Sequence, residues 1–301
     1  MTSPIVSVAI PAFAQTAAIK ESIASILEQT YAAMEVVVCV GFPTKETRSL
    51  IAELDDPHIF FIQNQENLGL ARNLNKCISR THGKYICILN PGDIMTPENI
   101  AQKIALLDSH PQVGLAYSNY SQKNETDCPA ISEKFKIEKK FDFLKKQMLQ
   151  QNHVLTSSAM IKRTVFEKVG LFNPQLKQSC EAEMWARIAI FFETIFLEDN
   201  LIVNRGHVRT NNSNDPMDFL SMQEEFLWKM KILEQHHNDI ADIDKLKNKL
   251  IERYYKNAES ANIKEISNGN DEEARRFQLF ANLLKDAEHV SQKQEITISQ
   301  D

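Results

Sequence analysis

Glu181 and Asp93 are the two carboxylates of this chain whose surroundings suggest chemistry. Glu181 lies in Ser179-Cys180-Glu181-Ala182-Glu183-Met184-Trp185-Ala186-Arg187, at the start of a helical pattern. A carboxylate held there can take a proton from a hydroxyl group. Acidic residues also favour a helix N-terminus for electrostatic reasons alone, and for Glu181 and Glu183 both readings stand. Asp93 closes the run Asn90-Pro91-Gly92-Asp93, directly after the apolar stretch Tyr85–Leu89. Carboxylate oxygens of this kind bind hard divalent cations, while Pro-Gly-Asp ahead of a helix is equally an ordinary turn. Arg72 and Arg205 carry permanent positive charge suited to a diphosphate, although Arg72 also fits a solvated helix position. His207, in Val203-Asn204-Arg205-Gly206-His207, offers an imidazole that suits Mn2+.

Those residues need a scaffold, and the hydrophobic pattern supplies one. Short β-rich runs (Val6–Ile10, Val36–Val40, Ile59–Gln63, Tyr85–Leu89, Gly114–Ser118) alternate with helical stretches of 3.6-residue period. This predicts an α/β domain with a mainly parallel sheet and helices on both faces. Open sheets of this type bind ligands beyond the carboxyl ends of their strands. The segments Pro11–Ala14, Val40–Thr44 and Asn90–Asp93 are therefore the ones to read for a site. Thr96-Pro97-Glu98-Asn99 predicts a helix start with Thr96 as cap. Residues 119–150 are polar and predict a loop followed by a helix carrying Phe141, Leu144 and Met148. A strand is expected at Thr194–Leu197. From about Pro216 the chain is almost wholly helix-forming, and it is expected to fray from about Ser291.

The order and spacing of these motifs resemble a family 2 glycosyltransferase with the GT-A fold, over residues 5 to about 213. The resemblance implies a GT-A-like nucleotide-binding sheet flanked by helices (1–215), and the sequence pattern beyond it predicts a helical C-terminal extension (216–290) and a disordered tail (291–301). It implies that Pro11 and Phe13 lie beside a nucleobase, that Asn67 and Arg72 belong to the donor site, and that Asn90 bonds a ribose. It places Asp93 and His207 near Mn2+ or Mg2+, Arg205 near the diphosphate, and Glu181 at the position of the base. The sequence departs from the family pattern where Ala14, Val40, Gly41 and Gly92 replace polar or acidic residues. Two functions follow. One is transfer of a sugar from a UDP- or GDP-sugar to an acceptor hydroxyl of a glycan, lipid or protein, with inversion. The other is a catalytically degenerate module that binds without turnover.

Bulk properties narrow the partners. A formal charge of −6 and a pI near 5.8 provide no overall basic field, so nucleic acid is not expected. No apolar run reaches the roughly 20 residues of a membrane-spanning helix. The five cysteines, Cys39, Cys77, Cys87, Cys128 and Cys180, lack CxxC spacing. A reduced, cytoplasmic protein, free or peripheral to a membrane, is the expectation.

Overall fold

The computed structural model describes residues 5–13, 16–41, 43–54, 56–122, 134–150, 152–205, 218–240 and 242–298, with side chains through residue 285. These residues fall into two compact units, 1–144 with 152–212 and 145–151 with 213–301.

The first unit is organised by strands that are apolar on both faces. β1 (Val6–Ala12) is buried along its whole length, as a strand between neighbours under helices must be. The chain continues through α1 (Thr16–Leu27), β2 (Met34–Val40), α2 (Lys45–Glu53), β3 (Ile59–Gln63), α3 (Gly69–Ile78) and β4 (Tyr85–Ile88). β2 and β4 flank β1 in parallel register, with Ala12 opposite Val40 and Ala9 opposite Ile88. β3 pairs in parallel with the outer side of β2. Alternating side chains divide between the faces. Val6, Val8 and Ile10 meet Ile19, Ile23 and Ile26 of α1, whereas Ala9, Val37 and Cys39 meet Cys77 of α3.

The second half of this unit is not parallel throughout. It contains β5 (Ile94–Met95), α4 (Asn99–Ser109), β6 (Val113–Gln122), β7 (Phe135–Glu138), the start of α5 (Lys140–Leu149, which from Lys145 belongs to the second unit), a 3-10 turn (Thr156–Ser158), β8 (Met160–Lys162), α6 (Arg163–Val169), α7 (Cys180–Phe191) and β9 (Glu193–Asn204). Strand order is β3-β2-β1-β4-β8-β6-β9-β5, with β7 also on β9. β8 runs antiparallel between β4 and β6, and β9 pairs in parallel with β6. The mainly parallel sheet expected from the alternation is therefore a parallel N-terminal half joined to a mixed C-terminal half. β7 lies in the stretch expected to be loop. β9 continues seven residues beyond the predicted end at Leu197, from Glu198 to Asn204. α4 begins at Asn99 rather than next to Thr96. The Thr96 carbonyl instead accepts from Asn99 N and from the Gln29 amide, which holds this segment as a turn.

The second unit contains α8 (Phe219–Gln235), α9 (Ile243–Ser267) and α10 (Asp271–Ile298). The backbone of α10 is helical as far as Ile298, into the stretch where fraying was expected, and residues 299–301 lie outside the described residues. Its core gathers Trp228, Leu233, Leu250, Tyr254 and Phe277, with Phe219 edge-on to Phe277 at 5.4 Å. Lys229 is buried between the Trp228 and Tyr254 rings and pairs with Glu225 one turn earlier. Among the described residues, no helix is long and apolar enough to cross a membrane.

Candidate active site

The strand ends of the parallel half converge on a buried asparagine. Asn73, on α3, donates to the carbonyls of Ala12 (3.1 Å) and Cys39 (3.3 Å) and accepts from Asn64 Nδ2 (2.9 Å). It thereby ties the ends of β1 and β2 to the residue that follows β3. Pro11 is buried inside β1, and Phe13 is half-buried against Gly41, where an added Cβ would lie 3.4 Å from Phe13 Cδ1. The Gly41 N–H is given to Ala12 O and the Val40 carbonyl accepts from Asn64 N. The backbone here is thus already engaged in holding the strand ends.

Arg72 precedes Asn73, is exposed, and makes no ion pair among the described residues. Asn67 is exposed as well, and its side chain accepts from Gly69 N at 3.0 Å. Gly69 has φ of +71° with open space around its missing Cβ, so the left-handed backbone, rather than a close approach, requires glycine.

A second group forms around the turn after β4. Gly92 has φ of +93°, a conformation that disfavours an aspartate at the position where the family pattern carries a metal ligand. Ser22 of α1 grips this turn: its hydroxyl accepts from Gly92 N (2.9 Å) and donates to Asp93 O (2.9 Å). Asn90 and Asp93 are both buried. Asp93 Oδ2 accepts from Ser157 Oγ at 2.5 Å, and Oδ1 accepts from Arg205 N at 3.1 Å. Arg205 reaches this place because β5 pairs with β9, Ile94 opposite Val203. Its guanidinium pairs with Glu21 of α1, while its buried Nε has no partner among the described residues. His207, and Ala14 of the first loop, lie outside the described residues.

Glu181 sits in the first turn of α7. The residue is half-buried, but its Oε1 is sealed from solvent and has no partner among the described residues. Burial pushes the Glu181 carboxyl up, and the nearby Thr156 hydroxyl opposes that rise. One turn on, the buried Trp185 Nε1 is also unpartnered. Glu183 is different: it holds Arg187 through two bonds of 2.7 and 2.9 Å, and Arg187 in turn holds the carbonyls of Val169 and Leu171. Glu183 is thus a structural ion pair, and Glu181 is the carboxylate left available for chemistry.

The structure therefore joins Asn90, Asp93 and Arg205, with Ser157 bonded to both Asn90 and Asp93, and does not bond Glu181 to them. Pro11 and Phe13 lie at the end of β1, whereas the exposed Asn67 and Arg72 make no polar contact with either group among the described residues. Ser22, Asn73, Thr156 and Ser157 are the residues that sequence reading missed. They carry no motif of their own, and only their partners mark them out.

The donor set for a cation is thin. Among the described residues, no three His, Cys, Asp or Glu side chains cluster as metal ligands. Asp93 is the one carboxylate at this turn, and each of its oxygens already accepts a hydrogen bond. These residues do not by themselves make a Mn2+ or Mg2+ site.

Comparison with known proteins agrees with this architecture. The model of glycosyl transferase family 2 matches residues 7–170. An uncharacterised glycosyltransferase of Methanocaldococcus jannaschii is 29% identical over 217 residues, covering 70% of this chain and 74% of that protein. A UDP-Glc:α-D-GlcNAc-diphosphoundecaprenol β-1,3-glucosyltransferase of Escherichia coli is 28% identical over 120 residues, 40% of this chain and 47% of that one. The fold resembles TarS residues 1–349 of S. aureus in complex with UDP, with a TM-score of 0.61, 14% identity, and coverage of 83% and 72% of the two chains. It also resembles a mannosyltransferase from Pyrobaculum calidifontis in complex with GDP-Man and Mn2+, with a TM-score of 0.56, 16% identity, and coverage of 97% and 85%.

Proposed function

The chain belongs to glycosyl transferase family 2, and from that premise we propose that it moves a sugar from a nucleoside-diphosphate sugar to an acceptor hydroxyl, with inversion. The observation that carries this reading is Glu181: a carboxylate at a helix start, sealed on one oxygen, with no cation paired to it among the described residues, and raised by burial above the usual carboxylate value. The structural neighbours named above bind UDP or GDP-Man, which supports a nucleotide-sugar donor.

In this mechanism the acceptor oxygen attacks the anomeric carbon in line with the departing diphosphate. Its proton passes to Glu181, and the bond from anomeric carbon to phosphate oxygen breaks with its electron pair on the diphosphate. Arg72 and the guanidinium of Arg205 meet that developing charge. Phe13, half-buried at the end of β1, offers an apolar wall for the base. No step is routed through a metal, because the described residues do not complete a cation site.

Calorimetric titration with UDP and GDP, each in Mn2+ and in excess EDTA, tests the donor site. Micromolar binding (about −8 kcal/mol) is expected, and it should persist in EDTA. Absence of binding under every condition would overturn the reading in favour of a non-catalytic module. Once a donor is identified, Glu181→Gln should leave its affinity within about 3-fold and lower turnover by at least the ~100-fold typical of a general base. Unchanged turnover would remove Glu181 from the mechanism.

A further inference from the structure

The carboxyl edge of the parallel half holds a buried acceptor that the described residues leave unused. Val40 of β2 stands between Ala12 of β1 and Gln63 of β3, so the next residues, Phe13, Gly41 and Asn64, form the following row across the sheet. By the two-residue alternation of strands they share the face of Cys39 and Ile62, which pack on Cys77 of α3. Asn64 is only 7% exposed, and its neighbours orient its amide. Asn73 gives Nδ2 to the carbonyls of Ala12 and Cys39, so its Oδ1 faces Asn64, which can meet it only with Nδ2, at 2.9 Å. Asn64 Oδ1 is then left sealed from solvent, with no partner among the described residues. The carbonyls beside it are engaged: Ala12 O takes Gly41 N, and Val40 O takes Asn64 N. A buried carbonyl that nothing donates to is costly, and such a group calls for a donor from outside the fold.

We propose that Asn64 Oδ1 reads the base of the nucleotide donor by accepting from a ring N–H, and so selects uracil or guanine over cytosine and adenine. This deepens the transferase reading given above and rests on it. Uracil and guanine carry a hydrogen on the ring nitrogen of their pairing edge, whereas cytosine and adenine present a bare lone pair there. Because Asn73 fixes the amide, Asn64 cannot turn to offer Nδ2 to that lone pair. The base takes the space over Gly41. Phe13 fills that space in this structure, with Cδ1 3.4 Å from where a Cβ on Gly41 would lie. Its ring moves aside as the base enters and becomes the apolar wall beside it. An asparagine that served only to hold the strand ends would be indifferent to which base is bound.

The experiment is calorimetric titration of the full chain with UDP, CDP and N3-methyl-UDP, which keep the diphosphate and change the pairing edge of the base. CDP and N3-methyl-UDP should bind about 10–100-fold more weakly than UDP, the cost of leaving a buried polar group unpaired. Where GDP is the tighter ligand, GDP, ADP and N1-methyl-GDP take their places. Asn64→Ala should erase the preference, so that UDP and CDP bind alike. Where that variant does not fold, the two analogues on the wild type decide the matter alone. The proposal is overturned if the wild type binds either analogue as tightly as UDP, or if Asn64→Ala weakens UDP and CDP by the same factor. Absence of binding by every nucleotide overturns the transferase reading and this assignment together. Binding that is blind to the base overturns this assignment alone.

Discussion

At the residue scale, the two glutamates of α7 separate by partner rather than by position. Both stand in its first turn, two residues apart, and the sequence offers the same pair of explanations for each. Glu183 closes a buried fork with Arg187, whereas Glu181 leaves an oxygen buried and unpaired. Removing one member of a buried ion pair strands the other, so Glu183→Ala should destabilise the protein by about 2–4 kcal/mol, read as a lower urea midpoint. Glu181→Gln should do the opposite. A carboxyl whose folded value is raised is stabilised below its unfolded value and loses that stabilisation as pH rises through the folded one. The glutamine variant should therefore match or exceed the wild type at neutral pH. A Glu181→Gln variant as unstable as Glu183→Ala would assign Glu181 a structural role. The residues that hold the site were hard to read in advance for a related reason. Serine and threonine carry no charge or spacing rule, and their meaning lies in the hydroxyl's partners, which come from 64 and 70 residues away in sequence for Ser157 and Ser22.

At the scale of the element, α4 carries an unusual burden. Lys103 is buried, and its ammonium donates to Asn99 Oδ1 at 2.9 Å, a neutral partner. Burial pushes Lys103 down to about 8. The unfolded chain then binds more protons than the folded one between about pH 8 and the ordinary lysine value, so this residue makes stability rise with pH across that window. Lys103→Met should gain about 1–3 kcal/mol at pH 7 and lose that advantage toward pH 10. Urea unfolding at pH 7, 8.5 and 10 measures it, and a gain independent of pH would show that packing rather than charge is responsible. Periodicity identified α4 as a helix, through Ile100, Ile104 and Leu107, but not where it begins. Thr96 is a good cap by type, but its hydroxyl takes no part in capping and has no partner among the described residues, while its carbonyl accepts from Asn99 N and Gln29. β5 is two residues long, too short for any periodic signal, yet its pairing with β9 is what delivers Arg205 to Asp93.

At the scale of the whole molecule, each unit has its own core. That of the helical unit is aromatic, with Phe219 and Phe226 packed edge-on around Phe280. Phe277 is 2% exposed, and Phe277→Ala should cost about 3–5 kcal/mol locally. Amide hydrogen exchange should show lost protection in α8, α9 and α10, with β1, β2 and β4 still protected. Loss of protection in all of them together would show one cooperative unit in place of two. The alternation of apolar strands with amphipathic helices was sufficient to establish the α/β class, the parallel half of the sheet and the helical C-terminal unit. Strands buried on both faces and helices buried on one leave a periodic trace in the sequence itself. The glycosyltransferase pattern was legible in the same way, as ordered local motifs. What only the tertiary structure decided was which polar groups meet: Asp93 with Ser157 and Arg205, and Glu183 with Arg187, while Glu181 Oε1 is left without a partner among the described residues. Burial is a property of a residue's own stretch of chain. A hydrogen bond between distant residues depends on strand pairing that no local window contains.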